Sequence, residues 1–288
     1  MPSNITSITL EHDCYPASLR QIFDPPPVLY VRGNLKVLTT DCFAVVGTRA
    51  YTDYGKRCAH DMASVLARAG FTIVSGLALG IDSFAHLAAL ENKTPTIAVL
   101  ACGLADERLY PPQNIKLAKR IIESGGALIS EHEPDTRAQI FTFPARNRII
   151  SGMSKGVLVV EGDIKSGTMI TAKSALDQGR DVFAVPGSIY SKKSAGTNYL
   201  IQKGAKLVMK PEDILEDYGI YLATQQKIVG DSPQETAILK LLEEKPLVMD
   251  EIIRQSGLDT SIAQSTLMIM ELNKKVRNLG NGKFVIYS

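Results

Sequence analysis

The feature that most constrains this chain is a repeat of short, wholly apolar runs, each ending in small residues and followed by a helical pattern. Phe43-Ala44-Val45-Val46 runs into Gly47-Thr48-Arg49, and a helix from about Asp53 to Ala69 follows, closed by Gly70. The same unit recurs. Phe71 to Val74 leads into Ser75-Gly76 and a helix after Asp82, and Thr96 to Leu100 leads into Cys102-Gly103 and a helix over Asn114 to Ser124. Strands follow at Ala127 to Ser130, Val157 to Glu161 and Val182 to Val185, with a helix closing at Ile149-Ile150 and another over Thr168 to Gln178. Strands that are apolar at every position need cover on both faces, and helices alternating with them supply it. The expected fold is therefore α/β, a doubly wound, mostly parallel sheet over residues 41–215. Such sheets take ligands at the carboxyl ends of their strands, near the point where strand order reverses.

Residues 1–40 read as an extension packed on this domain. Asp24-Pro25-Pro26-Pro27 is turn and extended chemistry, and Val28 to Gly33 is one short strand. The apolar pattern lapses over residues 216–230, read as a linker. Three helical stretches follow, Glu235 to Glu244, Met249 to Gln255 and Ser261 to Lys275, and then a hairpin turning at Asn281-Gly282. Three short helices and a hairpin make residues 231–288 a small winged-helix-like domain. It carries seven basic against eight acidic side chains, and its third helix opens Ser261-Ile262-Ala263-Gln264-Ser265, with no basic group for base reading. Contact with protein, or self-association, suits it better than duplex reading.

Several function classes fall away. The first turn lacks the second glycine of a dinucleotide fingerprint, and the second strand ends in Ser75 rather than an acid. No P-loop and no nucleophile elbow is present. The four cysteines and four histidines are scattered without ligand spacing, so no metal and no cofactor is expected. No apolar run would span a bilayer and Met1-Pro2-Ser3-Asn4 opens no secretory signal, so a cytoplasmic protein with reduced thiols and no membrane contact is expected. A net charge of only +2 means that a polyanion would have to meet a local patch.

Anion-handling groups remain. The Ser75-Gly76 to Gly80 turn joins a strand to a helix and reads either as a phosphate cradle or as a tight connection. Arg49 follows the first strand, where a guanidinium can fork onto a phosphate or close a salt bridge at the sheet rim. Ser166-Gly167-Thr168 opens a helix, as an anion site or an ordinary cap. In Phe141-Thr142-Phe143-Pro144-Ala145-Arg146-Asn147-Arg148, aromatics precede a basic helix start. Basic groups that follow a backbone and an aromatic face that takes a base are how single strands are held without sequence preference. The alternative puts the aromatics in the core and pairs the arginines with Glu131, Glu133 or Asp163. Arg146 and Arg148, two apart, point to different helix faces.

An ordered set of motifs closely resembles the DNA-processing protein A family (DprA, also called Smf). It comprises Val46-Gly47-Thr48-Arg49, Ser75-Gly76-Leu77-Ala78-x-Gly80-Ile81-Asp82-x-x-Ala85-His86, Tyr110-Pro111 and Phe143-Pro144-x-Arg146-Asn147-Arg148. It continues through Ser166-Gly167-Thr168-x-Ile170-Thr171-Ala172, Gly179-Arg180-x-Val182 to Gly187, and Gly196-x-Asn198-x-Leu200-Ile201-x-x-Gly204-Ala205. The resemblance spans about residues 15 to 215, and the tail matches the family's optional winged helix. It implies an extended Rossmann-like domain over residues 41–215 and a homodimer that binds single-stranded DNA without catalysis, protects incoming DNA and loads the RecA recombinase onto it in natural transformation. On matching positions it implies that Arg49 and the Ser75-Gly76 to Gly80 loop hold phosphates and Phe143 stacks on a base. Arg146 and Arg148 would line or brace the pocket. Self-association would fall at Leu200, Ile201 and Leu207. Many family members carry an N-terminal helical domain, for which the residues before the first Rossmann strand are too few. The competing reading is a Rossmann-like nucleotide hydrolase of the lysine-decarboxylase-like type, with Asp82 and Glu161 as its acid/base candidates.

Overall fold

A computed structural model of the chain describes residues 4–220, 230–244, 246–273, 275–278 and 282–286. The chain divides into two units, Met1–Tyr221 and Leu222–Ser288. In the first, the strands are β1 (Thr6–Thr9), β2 (Val28–Gly33), β3 (Cys42–Val46), β4 (Thr72–Ser75), β5 (Thr96–Val99), β6 (Ala127–Ser130), β7 (Gly156–Val159), β8 (Asp181–Ala184) and β9 (Lys206–Leu207). The helices are α1 (Ala17–Arg20), α2 (Asp53–Arg68), α3 (Ile81–Glu91), α4 (Ile115–Glu123), α5 (Thr142–Gly152), α6 (Gly167–Asp177), α7 (Lys192–Gln202) and α8 (Glu212–Leu215).

The nine strands form one sheet in the order β1-β2-β6-β5-β4-β3-β7-β8-β9. From β6 to β9 across the sheet all neighbours are parallel, while β1 and β2 are antiparallel additions at the β6 edge. Every residue of β3 to β7 is buried, which is why those runs are apolar without alternation. The chain steps outward from β3 to β6, then α5 carries it back to the other side of β3 for β7, β8 and β9. Strand order therefore reverses between β3 and β7, and a doubly wound sheet leaves its crevice there.

The leading residues do more than pack on this domain. Val28 to Gly33 hydrogen-bonds to β6, with Tyr30 opposite Ser130 and Gly33 opposite Ala127, and β1 adds a further strand outside it. Without them the edge of β6 would be left with unpaired N–H and C=O groups. Under the sheet, the Phe43 ring lies 5.5 Å from that of Phe71 and 5.8 Å from that of Phe183. Truncating such a fully buried ring costs about 3–5 kcal/mol.

The second unit holds β10 (Leu247–Val248), β11 (Val276–Asn278) and β12 (Lys283–Ile286), with α9 (Pro233–Glu244), α10 (Met249–Ser256) and α11 (Thr260–Leu272). Its antiparallel sheet runs β10-β12-β11. Ile238, Ile252, Leu267, Met270 and Phe284 fill its core. α11 carries one charged residue, Glu271, and exposes Ile262, Met268, Ile269 and Leu272. The expected linker falls mainly on residues 221–229, and part of the hairpin turn on 279–281, outside the described residues.

Candidate functional site

At the reversal between β3 and β7 lies an open cleft of about 330 Å³. The residues after β3 (Gly47 to Ala50), the inner face of α5 (Phe143, Arg146, Asn147) and the start of α6 (Ser166 to Thr168) converge on it. These three groups lie far apart along the sequence; the crossover brings them together. A smaller chamber of about 90 Å³ adjoins it behind Phe143, where Arg49, Gly76, Cys102 and Tyr110 meet.

Arg49 is exposed and, among the described residues, makes no ion pair. Its guanidinium carbon lies 5.3 Å from the centre of the Phe143 ring, a cation–π contact that leaves the N–H groups at the edge of the guanidinium available. Of the two roles read for Arg49, the rim salt bridge is therefore not the one adopted. Phe143 is half-buried and packs edge-on against Tyr110, with ring centres 5.9 Å apart. Phe141 stands 69% exposed, so neither aromatic is a core residue.

The loop between β4 and α3 differs from a phosphate cradle. The Asp82 carboxylate accepts from the amides of Gly76 at 3.1 Å and Ala78 at 3.4 Å, so donors that would face an anion already hold one. Burial raises the pKa of Asp82, and the Arg146 charge and these amides work against that rise. Ser75 is fully buried with its hydroxyl on the Val45 carbonyl. Leu77 takes a left-handed φ of 56°, a conformation costing about 1–2 kcal/mol in a bulky residue, and the Asn114 amide holds its carbonyl at 2.8 Å. Gly80, at φ 85°, lies so close to the Thr48 and Arg49 backbone that a Cβ there would strike it. This loop is the floor under Arg49. Neither Ser75 nor Gly80 lines the cleft, and Gly76 lines only the inner chamber.

The two arginines of α5 separate. Arg146 is 5% exposed and donates to the carbonyls of Gly76 (2.7 Å) and Val99 and to Asn147 Oδ1 (3.1 Å). Burial lowers its pKa, and the Asp82 charge opposes the shift. It pins α5 to the ends of β4 and β5 while adding positive potential to the cleft wall. Asn147 donates to the Gly167 carbonyl at 3.3 Å, which fixes α6 against α5. Arg148 turns away from the cleft, to Glu131 at 2.6 Å and Asp24 at 3.2 Å. It braces α5 against the leading segment and has no place in the pocket lining.

α6 starts without a side-chain cap, and although the Met169 amide closes on the Ser166 carbonyl at 3.1 Å, Gly167 and Thr168 line the cleft and place the positive end of the helix there. The Ser166 hydroxyl is turned inward against Gly162, where it has no hydrogen-bond partner, and so it is the helix end rather than this hydroxyl that faces the cleft. Glu161 is 2% exposed and grips Thr52 at both its amide (2.9 Å) and hydroxyl (2.5 Å), while its own carbonyl takes the Thr48 amide at 2.8 Å. The partner of Glu161 is therefore the loop that carries Arg49. Gly55 makes room for it, since a Cβ there would meet the carboxylate.

A sequence model of the family described as DNA recombination-mediator protein A matches residues 6–219, and one for the DprA winged helix domain matches residues 223–282. The chain belongs to the DNA-processing protein A family. It is 45% identical over 214 residues to DNA processing protein DprA of Bacillus subtilis, a match covering 74% of this chain and 71% of that one. It is 47% identical over 210 residues to Protein Smf of Escherichia coli, covering 73% of this chain and 56% of that one. The crystal structure of DprA from Streptococcus pneumoniae superposes with a TM-score of 0.70 at 43% identity and covers 74% of both chains. A DNA processing protein A from Helicobacter pylori, described for its single-stranded DNA binding mode, superposes at 0.66 with 34% identity over 76% of this chain and 98% of that one.

Within the DprA fold, the positions read for self-association divide. Leu200 is 5% exposed and belongs to the main core of this same chain, so it is spent internally; Ile201 is half-buried against that core. Leu207 is 40% exposed on β9, the last strand of the sheet. Tyr110 and Asn114 shape the site and were not among the expected site residues, and Glu161, expected only as an acid/base candidate of a hydrolase, shapes it by holding the Arg49 loop. The Tyr-Pro pair was visible as a motif, but nothing local ties residues 110 and 114 to Phe143 and Leu77. Among the described residues no cluster of side chains could hold a metal ion, and no helix is long and apolar enough to cross a membrane.

Proposed function

We propose that this DprA-family chain binds single-stranded DNA in the cleft at the β3–β7 reversal, protects incoming strands there and passes them to a RecA recombinase. The observation that carries the reading is Arg49, unpaired by any acid among the described residues and poised on the Phe143 ring at the mouth of the cleft. A guanidinium beside a partly exposed aromatic ring suits alternating phosphate and base, and the uncapped α6 end adds a second anion-favouring point. The Helicobacter pylori relative, described by its single-strand binding, supports the same ligand. We further propose that the protein works as a homodimer in the cytoplasm, with Leu207 on the outer strand β9 at the dimer interface, and performs no chemistry on the strand. Asp82 and Glu161, the acid/base candidates of a nucleotide hydrolase, are buried and hydrogen-bonded to loop groups, which speaks against that alternative.

Fluorescence anisotropy of a labelled oligothymidine and of a duplex of equal length, over a salt series, tests the site. Tight single-strand and weak duplex binding is expected, with a shallower salt slope for Arg49→Ala by about 0.7 for each phosphate the variant no longer neutralises. Equal, feeble binding to both overturns the reading.

A further inference from the structure

Beyond Phe143 the surface does not close. A second groove, of about 550 Å³, shares Tyr110, Ala138 and Phe143 with the site and runs outward between Arg108 and Arg137 to Ile140. Arg137 is exposed and, among the described residues, has no acidic partner. Arg108 is half-buried and anchored through Nε on the Asp135 carbonyl at 2.7 Å, which fixes its fork in place. Glu107 is the acid in the wall, so positive charge prevails. Ile140 is 92% exposed and Tyr110 43% exposed, and both line the groove with the two arginines, which gives it apolar surface beside its positive charge.

We propose that this groove is a second compartment for the same single strand: the nucleotides adjoining the one at Phe143 lie along it, with phosphates on Arg137 and Arg108 and a base over Tyr110 and Ile140. The proposal rests on the single-strand reading of the cleft. Continuity decides the occupant. The groove shares Phe143 with the cleft and the whole Phe143–Tyr110 ring pair with the inner chamber, so a strand held at Phe143 has this groove directly ahead of it. Guanidiniums beside aromatic and aliphatic surface are also the chemistry of a stacked, sequence-tolerant strand rather than of a duplex.

The test measures affinity against length, with oligothymidines stepped from about 4 to about 16 nucleotides, the span of single-strand sites. Native protein, Arg137→Ala, Ile140→Ala and Arg49→Ala are compared at several salt concentrations. Both groove residues are exposed, so the folded state should survive their loss. Native protein is expected to tighten with length until the groove is filled. Arg137→Ala should match it on the shortest strand and fall behind on the longest by on the order of fivefold, with a salt slope lower by about 0.7. A 5-iodouracil placed next to the terminal base should crosslink to Tyr110. Equal losses at every length, or none at any, overturn the second compartment. A defect confined to transfer onto the recombinase, with binding unchanged at all lengths, assigns the groove to that partner and also overturns it. If native protein binds no length, or Arg49→Ala changes nothing, the reading of the cleft itself has failed.

Discussion

Two strand ends in this sheet carry the same kind of sequence and do opposite things. After β4, Ser75-Gly76 to Gly80 leads into α3; after β7, Ser166-Gly167-Thr168 opens α6. Both put a serine and glycine where a helix begins, and both read as anion sites. The first turn supplies its own anion, for Asp82, in the first turn of α3, folds back onto the Gly76 and Ala78 amides. The second has no acid in its first turn and no side-chain cap. A glycine-rich strand–helix turn is thus half a site, and the residue that claims its amides decides whether it binds a ligand or builds a floor.

The largest expected effect falls on the closed turn. Asp82→Ala leaves the buried Gly76 amide and the part-buried Ala78 amide without an acceptor and should cost about 2–4 kcal/mol in denaturant unfolding. A loss under about 0.5 kcal/mol, the range of an ordinary surface substitution, would mean that the two turns are alike after all. At the open side, Phe143→Ala should weaken single-strand binding by about 1–3 kcal/mol, the worth of one stacked base, with a much smaller change in stability. Arg49→Ala should weaken binding by a similar amount, and high salt should shrink its deficit but not that of Phe143→Ala. The smallest effect sharpens the comparison most. Gly167→Pro removes one amide from the α6 start at a position where proline suits the first helical turn, Ser166 before it is already extended, and a Cβ meets nothing. Stability should hold while affinity drops by about 0.3–1 kcal/mol; unchanged affinity would show that the helix end carries no phosphate.

The central strands were legible because they are short and apolar throughout, and the helices because their ends carry Gly70, Gly125 and Gly179. The outermost strands were not. β1 buries only Ile8 of its four residues, and β9 is two residues long, so neither leaves a pattern to read. Strand order is not written in a sequence at all, which is why Arg49, Phe143 and Gly167 could each be singled out while their convergence could not. The two-residue spacing of Arg146 and Arg148 said that they face different ways. Which one faces the cleft was settled by Glu131 and Asp24, acids brought in by β6 and by the leading segment.

Arg146 and Asn147 are neighbours in sequence, yet one holds the ends of β4 and β5 and the other holds α6, on the far side of the reversal. A single turn of α5 is therefore the keystone between the two wings of the sheet. Amide hydrogens at the ends of β4 and β5 and in the first turn of α6 should exchange with solvent as one kinetic group, and a strand resting on α5 should slow all of them together.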